Sequence, residues 1–122
     1  MKKKLFFLAL FAFYWQAYAQ APSNDECTNA ISLTVNSNMS CTSHMSGTLV
    51  GATDSGIPAI RGTADDDVWF SFVATARQHT INILNIEGDI TTLTHEVMSG
   101  SCSLMTSPNS SFPGSNTVTD LT

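Results

Sequence analysis

Carboxylates are the residues whose type and spacing in this chain could do chemistry. Asp65, Asp66 and Asp67 stand side by side, directly before a run of alternating apolar residues. A calcium ion takes about six to eight oxygen ligands, and several carboxylates on one loop can supply part of that set. The acidic run therefore indicates a candidate calcium site, to which Asp25 and Asp54 could add ligands if folding brings them near. The competing interpretation, which we favour, is a solvated loop that limits edge pairing of the strand that follows.

The other residue types used in catalysis are not arranged for it. His44, His79 and His95 are far apart in the sequence, and His95 lacks the second histidine of a His-Glu-x-x-His zinc motif. The serines lie outside any Gly-x-Ser-x-Gly elbow. A carboxylate pair acting on glycosides would need a deep cleft, which a chain of this size can hardly build. We therefore expect a protein that is not an enzyme.

Three cysteines indicate an oxidising compartment and leave one thiol over. Cys27 and Cys41 flank a short polar segment, and a disulfide between them would contribute about 3 kcal/mol in the chain-entropy model. We expect this pair to form and Cys102 to remain without a partner in the chain. A bond from Cys27 to Cys102 would overturn that assignment. None of the cysteines has the Cys-x-x-Cys spacing of a zinc site.

The N-terminus has the order of a secretory signal peptide. Lys2–Lys4 form a basic region, Leu5–Trp15 an apolar region, and Ala17–Ala19 a small-residue cleavage site, so that residues 1–19 are removed and Gln20 begins the mature chain. The apolar run is too short for a membrane span, which needs about 20 residues. We expect a secreted or cell-surface protein with no membrane insertion after cleavage.

Cleavage also changes the charge. All three lysines are removed, and residues 20–122 keep two arginines against ten acidic residues, a formal charge of −8. Such a surface repels phosphate backbones and anionic lipid, so nucleic acid is not an expected partner. The remaining length can bury one core but not two.

Alternation in the segment Val68–Val73 predicts the central strand. Val68, Phe70 and Phe72 would share one face, with Trp69 on the other. Further strands are predicted at 31–35, 48–53, 80–86, 92–98 and 117–121, and a loop at 107–116, where Pro108, Pro113 and Gly114 interrupt the pattern. No stretch has a sustained helical period. Several short strands joined by turns indicate an all-β fold of the β-sandwich kind.

The order of short motifs resembles an extracellular β-sandwich module of secreted bacterial proteins, similar to the pre-peptidase C-terminal domain and to jelly-roll binding domains. The resemblance runs from about Pro22 to Leu121. The motifs that carry it are Asn24-Asp25-Glu26-Cys27, Ala30-Ile31-Ser32-Leu33, Gly47-Thr48, Gly51-Ala52-Thr53, Asp66-Asp67-Val68-Trp69-Phe70-Ser71-Phe72 and Ser99-Gly100-Ser101-Cys102.

This resemblance implies a non-catalytic module attached to secreted peptidases, glycosidases or adhesins, in proteins that carry a type IX sorting domain. Some relatives bind calcium through acidic positions near the N-terminus and before the central strand. Those positions correspond here to Asn24 and Glu26, together with the acidic run described above. Calcium is thus the one cofactor that the resemblance suggests.

The chain departs from the resemblance in two places. Relatives often carry a cysteine shortly before the acidic run, where this chain has Ile60-Arg61-Gly62. Relatives also continue past the equivalent of Leu121 into a tyrosine-rich closing strand. We therefore expect residues 20–122 to be a jelly-roll-like sandwich truncated at its C-terminal end, part of a larger protein.

The function that follows is a binding or spacer module acting on an extracellular protein or glycan. The main alternative is a carbohydrate-binding module, for which Trp69 is the candidate ligand-binding residue because sugars stack on aromatic faces. A third is the accessory domain of a secreted peptidase or glycosidase whose catalytic part lies elsewhere. Covering the core is the commoner use of a tryptophan in such a strand.

Overall fold

The computed structural model describes residues 19–59, 62–88, 93–111 and 115–119, and only the backbone in 107–111 and 115–119. The expected signal peptide therefore lies outside the described residues, except for Ala19. One turn of 3-10 helix, Cys27–Asn29, is followed by six strands. These are β1 (Ile31–Ser32), β2 (Phe70–Ser71), β3 (Gln78–Asn82), β4 (His95–Ser101), β5 (Leu104–Ser111) and β6 (Ser115–Thr119).

The strands pair two by two. β1 and β2 are parallel, β3 and β6 are antiparallel, and β4 and β5 form an antiparallel hairpin. The all-β class is confirmed, because helix in the described residues amounts to one short turn. The jelly-roll sandwich is a finer prediction that these three pairs do not establish. None of the described helices could cross a membrane.

The central strand is shorter than its pattern suggests, but its pairing reaches beyond β2. Ile31 N–H donates to the carbonyl of Trp69 over 3.1 Å, and Leu33 N–H donates to that of Ser71 over 2.7 Å. Trp69 N–H in turn donates to the carbonyl of Asn24 over 2.8 Å. The two ends of this strand are therefore held by β1 and by the segment before the helical turn.

The predicted faces of the central strand are only partly realised. Val68, Phe70 and Phe72 are half-buried and Ser71 is exposed, as the alternation predicts. On the second face, Trp69 is half-buried while Val73 is 81% exposed. On this second face, therefore, the side chain is shielded from solvent at Trp69 but not at Val73.

The hairpin β4–β5 contains residues 107–111 of the loop predicted for 107–116. Residues 112–114 lie outside the described residues, and 115 and 116 belong to β6. Val97 pairs with Asn109 and Ser99 with Thr106, so one residue of β4 faces two of β5. That extra residue makes a β-bulge at the position of Pro108, which has no N–H to give to the ladder. A proline that argues against a regular strand is thereby accommodated in an irregular one, and the prediction of a loop over residues 107–111 was wrong.

The strand predicted at 48–53 is a turn. Ala52 N–H donates to the carbonyl of Leu49 over 3.0 Å, and Gly51 has a φ of 81°. A left-handed conformation suits glycine, and it ends any extended run at this point. The other predicted strands are found with shifted ends. The strand predicted at 80–86 corresponds to β3, that at 92–98 to β4 and that at 117–121 to β6. Of the predicted residues, 92, 120 and 121 lie outside the described part of the chain.

The disulfide joins Cys27 to Cys102, which corrects the expected pairing of Cys27 with Cys41. Cys102 lies in the turn between β4 and β5, and this turn reaches the start of the helical turn, where the two Cα atoms are 5.8 Å apart. Cys41 is a free thiol instead, and its Sγ accepts a hydrogen bond from Asn82 Nδ2 on β3 over 3.4 Å. The prediction was wrong because it rested on the short sequence distance between Cys27 and Cys41. The fold instead brings the β4–β5 turn, with Cys102, next to Cys27.

Burial is shallow across the part of the chain whose side chains are described. Val97, with 6% of its surface exposed, is the one buried hydrophobic residue there, and Asn24, at 2%, is the one buried polar residue. A concavity of about 3120 Å³ is lined by residues of β1 to β5 and of the loops between them. This volume exceeds that of small-molecule pockets, which hold about 300–1,000 Å³. The space is therefore an open concavity and not a fitted cleft.

Candidate functional site

Asp67 of the acidic run holds the segment that precedes it. Its carboxylate accepts a hydrogen bond from Ser55 N–H over 3.1 Å and another from the Ser55 hydroxyl over 2.6 Å. Both carboxylate oxygens are used, and the contact is partly buried. Hydrogen bonds to a charged acceptor contribute roughly 1.5–3 kcal/mol each, more than those between neutral groups. Asp67 therefore stabilises the turn at Ser55.

Asp25 repeats the same arrangement two residues away along the held segment. Its Oδ1 accepts from Thr53 N–H and its Oδ2 from the Thr53 hydroxyl, both over 2.7 Å. Asp54, between the two held residues, accepts from Gly56 N–H over 2.6 Å. The segment 53–55 is thus fixed by one carboxylate from the N-terminal segment and by one from the loop before β2.

The remaining residues of the expected calcium set make separate contacts and do not share a common partner. Asn24 is buried, and its Nδ2 donates to the carbonyl of Trp69 over 2.9 Å. Glu26 is exposed at the start of the helical turn, and its carbonyl accepts from Asn29 N–H over 2.8 Å. Asp65 accepts from the Thr63 hydroxyl over 3.0 Å, while Asp66 is exposed.

Within the described ranges, no group of three or more histidine, cysteine or acidic side chains is close enough together to hold a metal ion. The structure brings Asp25 and Asp67 to neighbouring residues of one segment, but each carboxylate is occupied there by an N–H and a hydroxyl. Calcium binding by Asn24, Glu26 and the acidic run stays a prediction.

Trp69 is held through its backbone and partly covered at its side chain. Its indole is half-buried, and Nε1 is shielded from solvent without a hydrogen-bond partner in the described structure. A sugar platform needs an open aromatic face, and a half-buried indole offers less of one. Binding of a glycan by Trp69 stays a prediction.

The backbone of Phe70 points away from β1. In the parallel ladder, Ile31 is paired with Phe70, and the groups of β2 that face β1 belong to Trp69 and Ser71. The N–H and C=O of Phe70, and next those of Phe72, therefore lie along the opposite side of the strand. We call this side, from Phe70 to Phe72, the outer edge of β2. It has no backbone partner among the described residues.

The side chains along the outer edge are fixed by close contacts. The ring tip of Phe70 lies so near residue 47 that a β-carbon there would come within 2.8 Å of Cζ. The ring of Phe72 meets that of His79 edge to face, with centroids 5.5 Å apart. His79 Nε2 accepts hydrogen bonds from Thr75 N–H and Ala76 N–H over 3.1 and 3.2 Å, which closes the turn between β2 and β3. The rings of Phe70 and Phe72 are thus both in contact with neighbouring segments.

His95 lies half-buried on β4. Burial lowers its pKa below the ordinary value of 6.5, because the buried ring is shielded from the water that would solvate its charged form. Both ring nitrogens are shielded from solvent without a hydrogen-bond partner in the described structure. His44 is exposed in a loop, so the three histidines occupy three different environments.

Sequence reasoning missed the two residues that the carboxylates hold, Thr53 and Ser55, and the clamp made by Asn24. The sequence offers a weak signal for them: both held residues carry a hydroxyl next to Asp54, in a segment that contains turn residues. The carboxylates that hold them come from 12 and 28 residues away. Contacts across such separations depend on the fold and not on local pattern.

Comparison with known proteins gives no relative for this chain. No family model, no curated protein and no solved structure matches it. The resemblance to secreted bacterial sandwich modules consequently stays a prediction.

Proposed function

We propose that residues 20–122 form a non-catalytic, extracellular binding module, of jelly-roll type, that holds an extended segment of a partner protein along the outer edge of β2. Export is supported by the disulfide between Cys27 and Cys102, because such bonds persist in oxidising compartments. A non-catalytic role is supported by the contacts of three polar side chains of types that serve in catalysis elsewhere. Asp25, Asp67 and His79 each accept backbone N–H groups and thereby hold the fold.

The observation that carries the proposal is the direction of the Phe70 backbone. Its N–H and C=O point away from β1, whereas the carbonyls of Trp69 and Ser71 on either side accept hydrogen bonds from Ile31 N–H and Leu33 N–H. An unpaired strand edge is a template for a further strand, and several recognition domains bind extended peptides in this way. Main-chain hydrogen bonds would supply affinity, and the half-buried rings of Phe70 and Phe72 would select apolar side chains.

Charge favours a basic partner over a second copy of the chain. Asp65 and Asp66 are exposed just before the outer edge, and residues 20–122 carry a formal charge of −8. Two copies would repel each other, whereas a strand with lysine or arginine at one end would be attracted to the acidic run. The partner we propose is an extended segment with alternating apolar residues and a basic end.

A designed peptide tests the proposal directly. The probe has two lysines followed by alternating valine and threonine, and it is titrated into the secreted, isotope-labelled chain. We expect the amide signals of Phe70 and Phe72 to shift on binding. The matched control is the same peptide N-methylated at the residues that would donate to β2, and it should bind about tenfold more weakly because two hydrogen bonds of about 0.5–1.5 kcal/mol each are lost.

Three outcomes would contradict the proposal. The two peptides could bind equally, the shifted amides could lie away from 68–73, or no binding could be seen. Self-association of the free chain through the same amides would replace the basic partner with a second copy. Binding on a glycan array, lost in Trp69→Ala, would instead support the carbohydrate-binding alternative.

A further inference from the structure

Gly51 lies against the backbone on both sides of the expected cleavage point, that of Ala19 and that of Gln20. A β-carbon at this position would lie 2.9 Å from the carbonyl oxygen of Gln20 and 3.0 Å from that of Ala19. Real β-carbons do not approach other atoms so closely, and the φ of 81° also favours glycine here. The backbone of Gln20 therefore has a defined position in the fold, against the turn at Gly51.

A second contact holds the same segment five residues after Gln20. The Asp25 carboxylate accepts both the N–H and the hydroxyl of Thr53, two residues beyond Gly51. Residues 20–25 thus run beside residues 51–53 and are held at both ends. Only the backbone of Gln20 is engaged in this way, since the residue as a whole is exposed. Its side chain is free to react.

We propose that Gln20 is a modification site, at which the first residue of the secreted chain cyclises to pyroglutamate. The proposal depends on the export proposed above and on cleavage between Ala19 and Gln20. Cleavage frees the α-amino group of Gln20. Its nitrogen can then close a five-membered ring with the side-chain carbon Cδ through Cα, Cβ and Cγ. The α-nitrogen attacks Cδ, the N–Cδ bond forms, the Cδ–Nε2 bond breaks, and ammonia leaves with a proton from the amine. No oxidant or other co-reactant is required.

The contact with Gly51 is compatible with the ring. The lactam uses the α-nitrogen and the side chain, and it leaves unchanged the Gln20 carbonyl, which lies against Gly51. The Ala19 carbonyl, the other oxygen beside Gly51, is removed with the signal peptide. The product is neutral where an ammonium group would have been, so residues 20–122 keep two arginines as their only full cations. A chain without a free amine also resists aminopeptidases, and the segment that lies on Gly51 is thereby protected from trimming.

The experiment is intact mass and N-terminal sequencing of the full precursor after secretion from a host that exports it. We expect a chain that starts at Gln20, lacks about 17 Da for the lost ammonia, and is blocked to N-terminal sequencing. The matched variant is Gln20→Asn, which keeps the amide but could close only a strained four-membered ring. It should have its full mass and a readable N-terminus.

The two levels of the proposal fail in different ways. A secreted chain that starts at Gln20 with its full mass and a free amine would overturn the modification and leave export standing. A chain that still carries Lys2–Lys4, or starts elsewhere, would overturn the cleavage on which it depends. Loss of ammonia from Gln20→Asn as well would place the reaction at another residue and also overturn it.

Discussion

At the scale of single residues, carboxylates in this protein act as clamps. Asp25 and Asp67 each use two oxygens to hold the N–H and the hydroxyl of one residue, Thr53 and Ser55 respectively. The clustering of acids before β2 is what suggested calcium, yet the member of the run with the most extensive contacts is bonded to a serine. Sequence identifies which residues could bind a cation, but the partners of each carboxylate are set by the fold.

The clamp at Ser55 gives the first prediction. Asp67→Ala should lower the free energy of unfolding by about 1–3 kcal/mol, because it leaves two partly buried donors without their charged acceptor. Asp66→Ala is the matched control, since Asp66 is exposed in the same run, and it should leave the urea midpoint unchanged. Urea melts in the presence of a chelator measure both.

Repeating those melts in millimolar calcium separates a clamp from a metal site. If Asp65, Asp66 and Asp67 share an ion with Asn24 and Glu26, calcium should stabilise the unchanged chain by mass action, and both variants should lose that gain. A destabilised Asp66→Ala variant, or an Asp67→Ala variant as stable as its parent, would contradict the structural assignment.

His95 predicts a loss of stability in mild acid. Burial lowers the pKa of His95 in the folded chain below its unfolded value of 6.5, so the unfolded chain binds a proton more readily. Its contribution is complete above that pH and is lost as the pH falls below about 6.5 toward the lowered value. His95→Gln should flatten this part of the stability profile, measured by urea melts between about pH 5 and 7.5.

The exposed His44 provides the comparison for His95. His44→Gln replaces a histidine in a loop and should keep the acid-dependent loss of stability. If both variants had the profile of the parent, burial of His95 would not be the cause of the pH dependence.

At the scale of elements, the sequence predicted strands correctly where the residues alternate locally. The prediction was wrong where an element depends on a distant contact, as in β5 and in the turn at Gly51. The run through Ile81 gave β3 and the threonine-rich segment ending in Ser99 led into β4, because each shows a strand pattern by itself. β5 could not be predicted, because Pro108 is tolerated only through a bulge whose existence depends on β4. The turn at Gly51 lies inside the strand predicted for 48–53, because its contact partner, Gln20, is 31 residues earlier and no local pattern points to it.

The hairpin β4–β5 depends on a close backbone approach at Gly100. A β-carbon there would overlap the carbonyl oxygen of Leu104, and its φ of 116° is one that other residues rarely adopt. Gly100→Ala should therefore force the strands apart beside Cys102 and destabilise the fold by more than the roughly 1–2 kcal/mol cost of a left-handed residue. Thermal melts of the oxidised chain measure the effect.

Gly56→Ala is the matched control for Gly100→Ala. Gly56 also has a positive φ, 76°, but a β-carbon at this position would meet nothing within 4 Å. It should show the conformational cost alone, without the steric one. Equal destabilisation by the two substitutions would mean that the contact with Leu104 does not constrain the hairpin.

At the scale of the whole molecule, one covalent bond compensates for a thin core. Among described side chains the buried hydrophobic residue is Val97, and a wide concavity is lined by residues of β1 to β5. The Cys27–Cys102 disulfide spans 75 residues and ties the N-terminal segment to the tip of the β4–β5 hairpin. In the chain-entropy model a loop of that length contributes about 4.5 kcal/mol, against about 3 kcal/mol for the short loop that the sequence suggested. That is a large part of the 5–15 kcal/mol typical of a domain.

Removal of this disulfide is the last prediction. The double variant Cys27→Ser/Cys102→Ser should lose about 2–4.5 kcal/mol of stability, and its urea m-value should rise because the unfolded chain is no longer held compact by the cross-link. Cys41→Ser is the matched control, since it removes a cysteine that forms no disulfide. It should keep the midpoint, and its oxidised peptide map should still contain the bond between Cys27 and Cys102. A map with Cys27 joined to Cys41 in the unchanged chain would overturn the pairing. A double variant with an unaltered midpoint would show that the strand pairs hold together without the bond.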